Sequence, residues 1–270
     1  MAILYSENRH ETTLIILLFR VQRGGVGLIG RRRTGARAHF TFLAVAPFCG
    51  LSLFLHSPFN AAMLVTDLMP AQMKSSPCLM IVLHGLGDSI EGYRWLPPGL
   101  GLPWLNYLLV NAPDQYFGGY AWYDFSGDAG TGVERSRALL FELLDEQRAR
   151  GWRTDQTMLF GFSQGCLMTI EVGLRYPHLF AGLVGISGYV HEPQRLLLEL
   201  SPVARQQRLL VTHGLDDPLI PFGPVREQVN LLKAEGIHIE WHEFVKGHTI
   251  AGEQELAVVR SFVRARFGRN

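Results

Sequence analysis

Beyond residue 62, short uninterrupted apolar runs alternate with longer segments whose apolar residues recur at helical spacing. The runs fall at 78–83, 105–110, 157–160, 183–187 and 209–212. Runs of that length without polar interruption fit strands buried on both faces, as in a parallel sheet covered by helices. Residues 133–150 place Ala138, Leu139, Phe141, Leu143 and Leu144 among charges and stop at Gly151, which predicts an amphipathic surface helix. Residues 166–174 predict a second helix, ended by Tyr176-Pro177. Residues 237–244 alternate apolar with polar and predict one more strand. The fold class is therefore α/β, with a mostly parallel central sheet and helices on both faces.

Residues 1–62 break this pattern. A short apolar run at 12–19 is followed by Gly24-Gly25-Val26-Gly27, by Arg31, Arg32, Arg33 and Arg37, and by a second apolar run at 40–55 that Pro47 and Gly50 interrupt. The first run is too short to span a bilayer and the second is short and broken. Arginines, an apolar stretch and then Asn60-Ala61-Ala62 resemble an export signal placed some thirty residues too late. Three readings stand: an upstream extension, with translation starting at Met63 or Met69; a membrane-attached or exported N-terminus, which would give membrane contact; and a structured extra element. Under each of them residues 1–62 are an extension outside the fold, and residues 63–270 form the folded α/β domain.

Composition narrows the function classes. The chain has 270 residues and a formal net charge of +1, enough length for a sizeable core and no basic footprint for nucleic acid. Cys49, Cys78 and Cys166 are odd in number and scattered; Cys78 and Cys166 read as small buried hydrophobes, not a disulfide framework or zinc site, and a reducing, cytoplasmic setting fits best. Oligomeric state leaves no mark in the sequence.

The chemistry centres on Gly161-Phe162-Ser163-Gln164-Gly165, which fits G-x-S-x-G. In a chain with 29 glycines that pattern arises readily by chance, so its flanks carry the reading. An apolar run leads in and a helix leads out, as a nucleophile elbow requires. The two glycines let the backbone bend tightly around Ser163. After the run at 78–83 comes His84-Gly85-Leu86-Gly87-Asp88-Ser89. A phosphate loop is the rival reading, but neither G-x-x-x-x-G-K-[ST] nor a nearby lysine is present. An oxyanion loop fits instead, with the amide of Leu86 paired with the amide of Gln164. His84 reads as structural, because it precedes the nucleophile and adjoins a strand end.

An acid belongs on a loop after a late strand, and Asp216 and Asp217 both follow the run at 209–212. His238 and His242 share a strand face, where H-x-x-x-H does not make a metal pair. His248, in Lys246-Gly247-His248-Thr249, sits in a short loop before the last helix, where a base reaches over the strand tops to Ser163. Activation of a serine hydroxyl needs such an imidazole, and the imidazole needs a carboxylate to orient it.

Five motifs in this order, His84-Gly-Leu-Gly-Asp-Ser89, Trp122-Tyr123-Asp124, Gly161-Phe-Ser-Gln-Gly165, His213-Gly-Leu-Asp-Asp-Pro-Leu-Ile-Pro221 and Gly247-His248, resemble the phospholipase/carboxylesterase family across residues 75–267. The resemblance implies an α/β-hydrolase fold. It picks Asp217, directly before Pro-Leu-Ile-Pro, as the acid and leaves Asp216 as a solvated or turn-capping carboxylate. It also implies that Trp122 faces the substrate as a cleft wall. Gly-Tyr-Ala stands before Trp122 where the family often has Met-Pro, a local departure.

The resulting expectation is a serine hydrolase of carboxylic esters, with acyl thioesters and lysophospholipids as related small-molecule substrates. Ser163, Asp217 and His248 are catalytic, Leu86 and Gln164 form the oxyanion hole, and Trp122 binds substrate. No metal or organic cofactor is needed. An acyltransferase with the same triad, or a non-catalytic binding protein on the same fold, are the alternatives. Little room for a lid lies between Gly188 and Leu209, so an open cleft is expected.

Overall fold

The computed structural model describes residues 63–125 and 127–269, together with the backbone of four strands near the N-terminus. The chain divides into two units, Met1–Pro58 and Phe59–Asn270. In the first, β1 (Ala2–Asn8) pairs antiparallel with β2 (Glu11–Leu17), and β3 (Phe19–Gln22) with β4 (Gly25–Leu28). The readings of residues 1–62 as extension, membrane anchor or extra element otherwise lie outside the described residues.

The second unit is built on a seven-stranded sheet. Its strands are β5 (Thr66–Met69), β6 (Leu79–Leu83), β7 (Asn106–Val110), β10 (Thr157–Phe162), β11 (Gly182–Ile186), β12 (Arg208–Gly214) and β13 (His238–Phe244). A separate hairpin, β8 (Asp114–Tyr116) and β9 (Gly119–Ala121), lies between the third and fourth of them. The order across the sheet is β13-β12-β11-β10-β6-β7-β5. Every pair is parallel except β5 with β7, which is antiparallel at the edge.

The continuous apolar runs are explained by burial on both faces. In β6, Leu79, Ile81 and Leu83 join one core while Met80 and Val82 join the other. The first core is closed by α2 (Ala129–Ala149), α3 (Gln164–Arg175), α4 (Pro193–Leu198) and α5 (Phe222–Ala234). The second is closed by α1 (Leu96–Leu100) and α6 (Gly252–Arg266). The predicted α/β-hydrolase architecture is therefore the observed one, with helices on both faces of a mostly parallel sheet.

Because the strands run parallel, their carboxyl ends gather at one edge of the sheet, where crossover loops can converge. The loops after β6, β10, β12 and β13 all emerge there. The stretch between β11 and β12 holds α4 and a single 3-10 turn at Ala204–Gln206. The Gly-Tyr-Ala that precedes Trp122 is strand β9 of the β8–β9 hairpin. Its turn residues, Phe117 and Gly118, both have positive φ, at 43° and 90°. That geometry matches a tight hairpin turn. It is tied to the loop after β6 by reciprocal main-chain bonds, Gly87 N–H to Tyr120 O and Tyr120 N–H to Asp88 O, each 2.9 Å.

Candidate active site

Ser163 sits between the end of β10 and the start of α3 at φ 54° and ψ −116°, a region that non-glycine residues rarely occupy. Neighbouring atoms hold it there. Its N–H donates to Ile186 O at 2.9 Å, which locks the turn onto β11. The flanking glycines are steric necessities. A Cβ on Gly161 would lie 2.5 Å from Thr169 Oγ1, and one on Gly165 would lie 2.7 Å from the carbonyl oxygen of His84. The helix therefore packs directly onto the end of β6, and the serine side chain projects from the apex, half-buried.

His248 lies in the loop between β13 and α6. Its Nε2 is 2.9 Å from Ser163 Oγ, and its Nδ1 is 2.8 Å from Asp217 Oδ2. A carboxylate can only accept, so Nδ1 carries a proton and donates it to Asp217. Nε2 is then the acceptor for the Ser163 hydroxyl. The ring also rests against Phe162, with centroids 5.1 Å apart.

Asp217 is buried, and its second oxygen, Oδ1, accepts the amides of Leu219 and Ile220 at 2.9 Å each. Burial pushes its pKa up. The Ile220 amide, the His248 bond and the Leu219 amide together outweigh this and hold the carboxyl below its ordinary range. Asp216 is exposed, and its N–H donates to Lys246 O at 3.2 Å. Of the two adjacent aspartates, the structure brings only Asp217 to the imidazole.

The loop after β6 lies against the serine, since a Cβ built on Gly85 would be 3.4 Å from Ser163 Cβ. Among the described residues, neither the Leu86 amide nor the Gln164 amide donates to an acceptor within the protein. Gln164 opens α3, so its amide also carries the partial positive charge of a helix N-terminus. Its side chain is turned away into the core, where Oε1 accepts Trp122 N–H at 2.9 Å and Nε2 donates to Tyr123 O at 3.0 Å.

His84 is buried and has both ring nitrogens engaged: Nε2 accepts Ala112 N–H at 3.1 Å, and Nδ1–H donates to Gly85 O at 2.6 Å. Burial holds its pKa below the ordinary value, against the opposing pull of the Gly85 carbonyl and Asp88. It braces the loop after β6 from beneath.

Trp122 departs from expectation. It is 0% exposed, so it does not line a cleft. Its indole N–H donates to His84 O at 2.9 Å, and its ring packs beside the His84 ring. A buried indole needs an acceptor, and the His84 carbonyl at the base of the loop after β6 supplies one. Trp122 therefore fastens that loop and Gln164 together from below.

Four further residues escaped the sequence reading. His213, at the end of β12, donates Nε2–H to Ile220 O at 2.9 Å and so closes the loop that carries Asp217. Lys246, Glu255 and Thr212 form a buried polar cluster beneath the catalytic loops. A lysine two residues before the base, followed by a glutamate in the next helix, gives no signal by itself. No group of histidine, cysteine, aspartate and glutamate side chains suited to a metal occurs among the described residues.

The family model described as Phospholipase/Carboxylesterase matches residues 70–266. Acyl-protein thioesterase 1 of Schizosaccharomyces pombe is 31% identical over 159 residues, covering 53% of this chain and 69% of the relative. Acyl-protein thioesterase 1 of Yarrowia lipolytica is 27% identical over 203 residues, covering 68% and 89%. Among solved structures, esterase PE8 superposes with a TM-score of 0.68 at 28% identity, over 75% of this chain and 99% of that one. The carboxylesterase of Bacillus cereus shares the fold, with a TM-score of 0.66 at 18% identity over 77% and 96% of the two chains. The chain belongs to the phospholipase/carboxylesterase family of α/β-hydrolases.

Proposed function

We propose that this protein hydrolyses carboxylic esters, acyl thioesters among them, through an acyl-enzyme on Ser163. The observation that carries this reading is the unbroken relay from Ser163 Oγ to His248 at 2.9 Å and from His248 to Asp217 at 2.8 Å. His248 Nε2 takes the Ser163 proton as Oγ attacks the acyl carbon, and Asp217 stabilises the imidazolium that forms. The amides of Leu86 and Gln164 receive the oxyanion, and each such donor is worth about 3 kcal/mol in the transition state. The imidazolium protonates the departing alcohol or thiol. Water then attacks the acyl-enzyme, giving a proton to His248, and the carboxylic acid leaves as Ser163 recovers its hydrogen.

Thioesters join the substrate class because relatives 31% and 27% identical to this chain are named acyl-protein thioesterases. In this reading residues 1–62 stand apart from the catalytic domain, in keeping with a family match that begins at residue 70. Buried, unpaired Cys78 and Cys166 favour a reducing compartment such as the cytoplasm.

A fluorophosphonate probe tests the assignment on the full chain. Stoichiometric labelling, lost in Ser163→Ala together with p-nitrophenyl ester hydrolysis, is the expected result. No labelling, or labelling that persists in Ser163→Ala, contradicts it. Release of acyl product onto added alcohol instead of water would identify a transferase.

A further inference from the structure

Beneath the catalytic loops lies a buried ion pair that the mechanism above does not use. Lys246 Nζ reaches both carboxylate oxygens of Glu255, at 2.6 and 2.8 Å. The two side chains are 2% and 0% exposed. Glu255 accepts two more hydrogen bonds: from Thr212 Oγ1 at 2.5 Å and from Ala251 N–H at 2.6 Å. Its carboxylate therefore joins three segments: the end of β12, the loop after β13 and the start of α6. The first of these leads into Asp217 and the second contains His248.

We propose that Lys246 and Glu255 are positioning residues that hold His248 and Asp217 in register with Ser163 and keep the charge beneath them balanced. This rests on the reading of those three residues as a catalytic triad. A staple needed only to close α6 onto the sheet would not have to touch both catalytic arms. A buried ion pair is also a costly way to add stability, because desolvation cancels much of its attraction. Replacing it with apolar side chains would serve a core as well, so its place two residues from the base calls for a positional role.

The electrostatics point the same way. Burial lowers the Lys246 pKa and Glu255 opposes this, with smaller support from Asp217 and Cys166. The charged or titratable groups around His248 are Asp217 on the acid loop, His213 on β12 and Lys246 on its own loop; Ser163 faces it from the elbow. Behind Lys246 stand Glu255 on α6 and Cys166 on α3. Removing one partner of the pair leaves a lone charge beneath the relay, positive in one case and negative in the other.

The test compares wild type with Glu255→Gln, Lys246→Met, the variant carrying both changes, and Thr212→Val, all in the full chain. Active sites are counted by fluorophosphonate titration, so that misfolded protein does not enter kcat. With a p-nitrophenyl ester, each charge-removing single variant is expected to lose about 10- to 100-fold in kcat with KM nearly unchanged, as slight misplacement of a catalytic group does. The acid limb of the kcat/KM profile is expected to move to lower pH in Glu255→Gln and to higher pH in Lys246→Met. It should return to the wild-type position when both changes are combined, with partial recovery of kcat. Thr212→Val, which removes one hydrogen bond and no charge, should lower kcat without moving the limb, and it keeps the test decisive if a charge variant fails to fold. Unchanged kcat per active site and an unmoved acid limb, with only the melting temperature lowered, would overturn the proposal. A wild type that neither labels nor hydrolyses would overturn the triad reading instead.

Discussion

The amide of Asp216 donates to the carbonyl of Lys246 at 3.2 Å, so the loop bearing Asp217 is fastened through main-chain atoms to the loop bearing His248. Leu215 N–H to Phe244 O, at 2.9 Å, adds a second fastening one step earlier. Asp217 and His248 therefore arrive as one unit, and their separation is set by the fold.

That closeness depends on Gly214. A Cβ there would overlap the Lys246 carbonyl and lie 2.8 Å from the Gly247 carbonyl. Gly214→Ala is expected to push the base loop away from Ser163 and to lower kcat by about 10²-fold, as displacement on the order of 1 Å does, while KM changes little. Steady-state kinetics on an ester substrate check this. A fully active Gly214→Ala enzyme would show that the loop accommodates the methyl group without cost.

The two adjacent aspartates should separate cleanly. Asp217→Asn presents an amide to His248 Nδ1 and favours the wrong tautomer, so kcat should fall by about 10⁴-fold. Asp216→Asn changes an exposed side chain and should leave kcat within about twofold of wild type. Paired kinetic measurements read this out, and equal losses in the two variants would place the acid elsewhere.

Trp122 yields a different signature from a substrate-contacting residue. Trp122→Phe removes the donor to the buried His84 carbonyl. The unsatisfied acceptor should cost about 1–3 kcal/mol of stability. A fully buried ring touches no acyl chain, so the KM ratio between short and long p-nitrophenyl esters should stay as in wild type. Urea melts and a chain-length series test the two halves separately.

Stability should fall on the acid side of neutrality. Burial holds both His84 and His213 below their ordinary value of about 6.5, outweighing the carbonyls that pull the other way. The unfolded chain then binds more protons than the folded one once pH drops below that value. The stabilisation these residues give is complete above about pH 6.5 and is lost progressively as pH falls toward their folded-state values. Asp217, also depressed, adds a further loss only in the ordinary carboxylate range and below. Urea unfolding at pH 7.5, 6.5 and 5.5 should show the decline, and His84→Gln should reduce it.

Much of the fold was legible in the sequence because burial on both faces leaves an unmistakable mark. The runs at 78–83 and 105–110 are observed as Leu79–Leu83 and Asn106–Val110, and the helix read at 133–150 as Ala129–Ala149. What escaped was short or unpatterned. β5, at the antiparallel edge, has four residues and a mostly half-buried pattern. α1 reads Leu-Pro-Pro-Gly-Leu, a sequence that argues against a helix, yet proline is tolerated in a first turn. For the site, serine and histidine stand in motifs whose backbone requirements are themselves sequence signals. The choice between Asp216 and Asp217 came from resemblance, and spacing alone left it open. Trp122 was misplaced because an aromatic residue in a glycine-rich loop looks the same whether it faces substrate or core. Lys246 and Glu255 were invisible because their partnership exists only once β13 and α6 fold back on β12.

The most direct measurement is mass spectrometry of the intact protein, quenched within the first turnover of a p-nitrophenyl acyl ester and then mapped by peptide. An added mass equal to the acyl group, located on Ser163 and absent from Ser163→Ala, is the expected result. Hydrolysis that proceeds without any acylated Ser163 peptide, or with the acyl group on another residue, would contradict the mechanism.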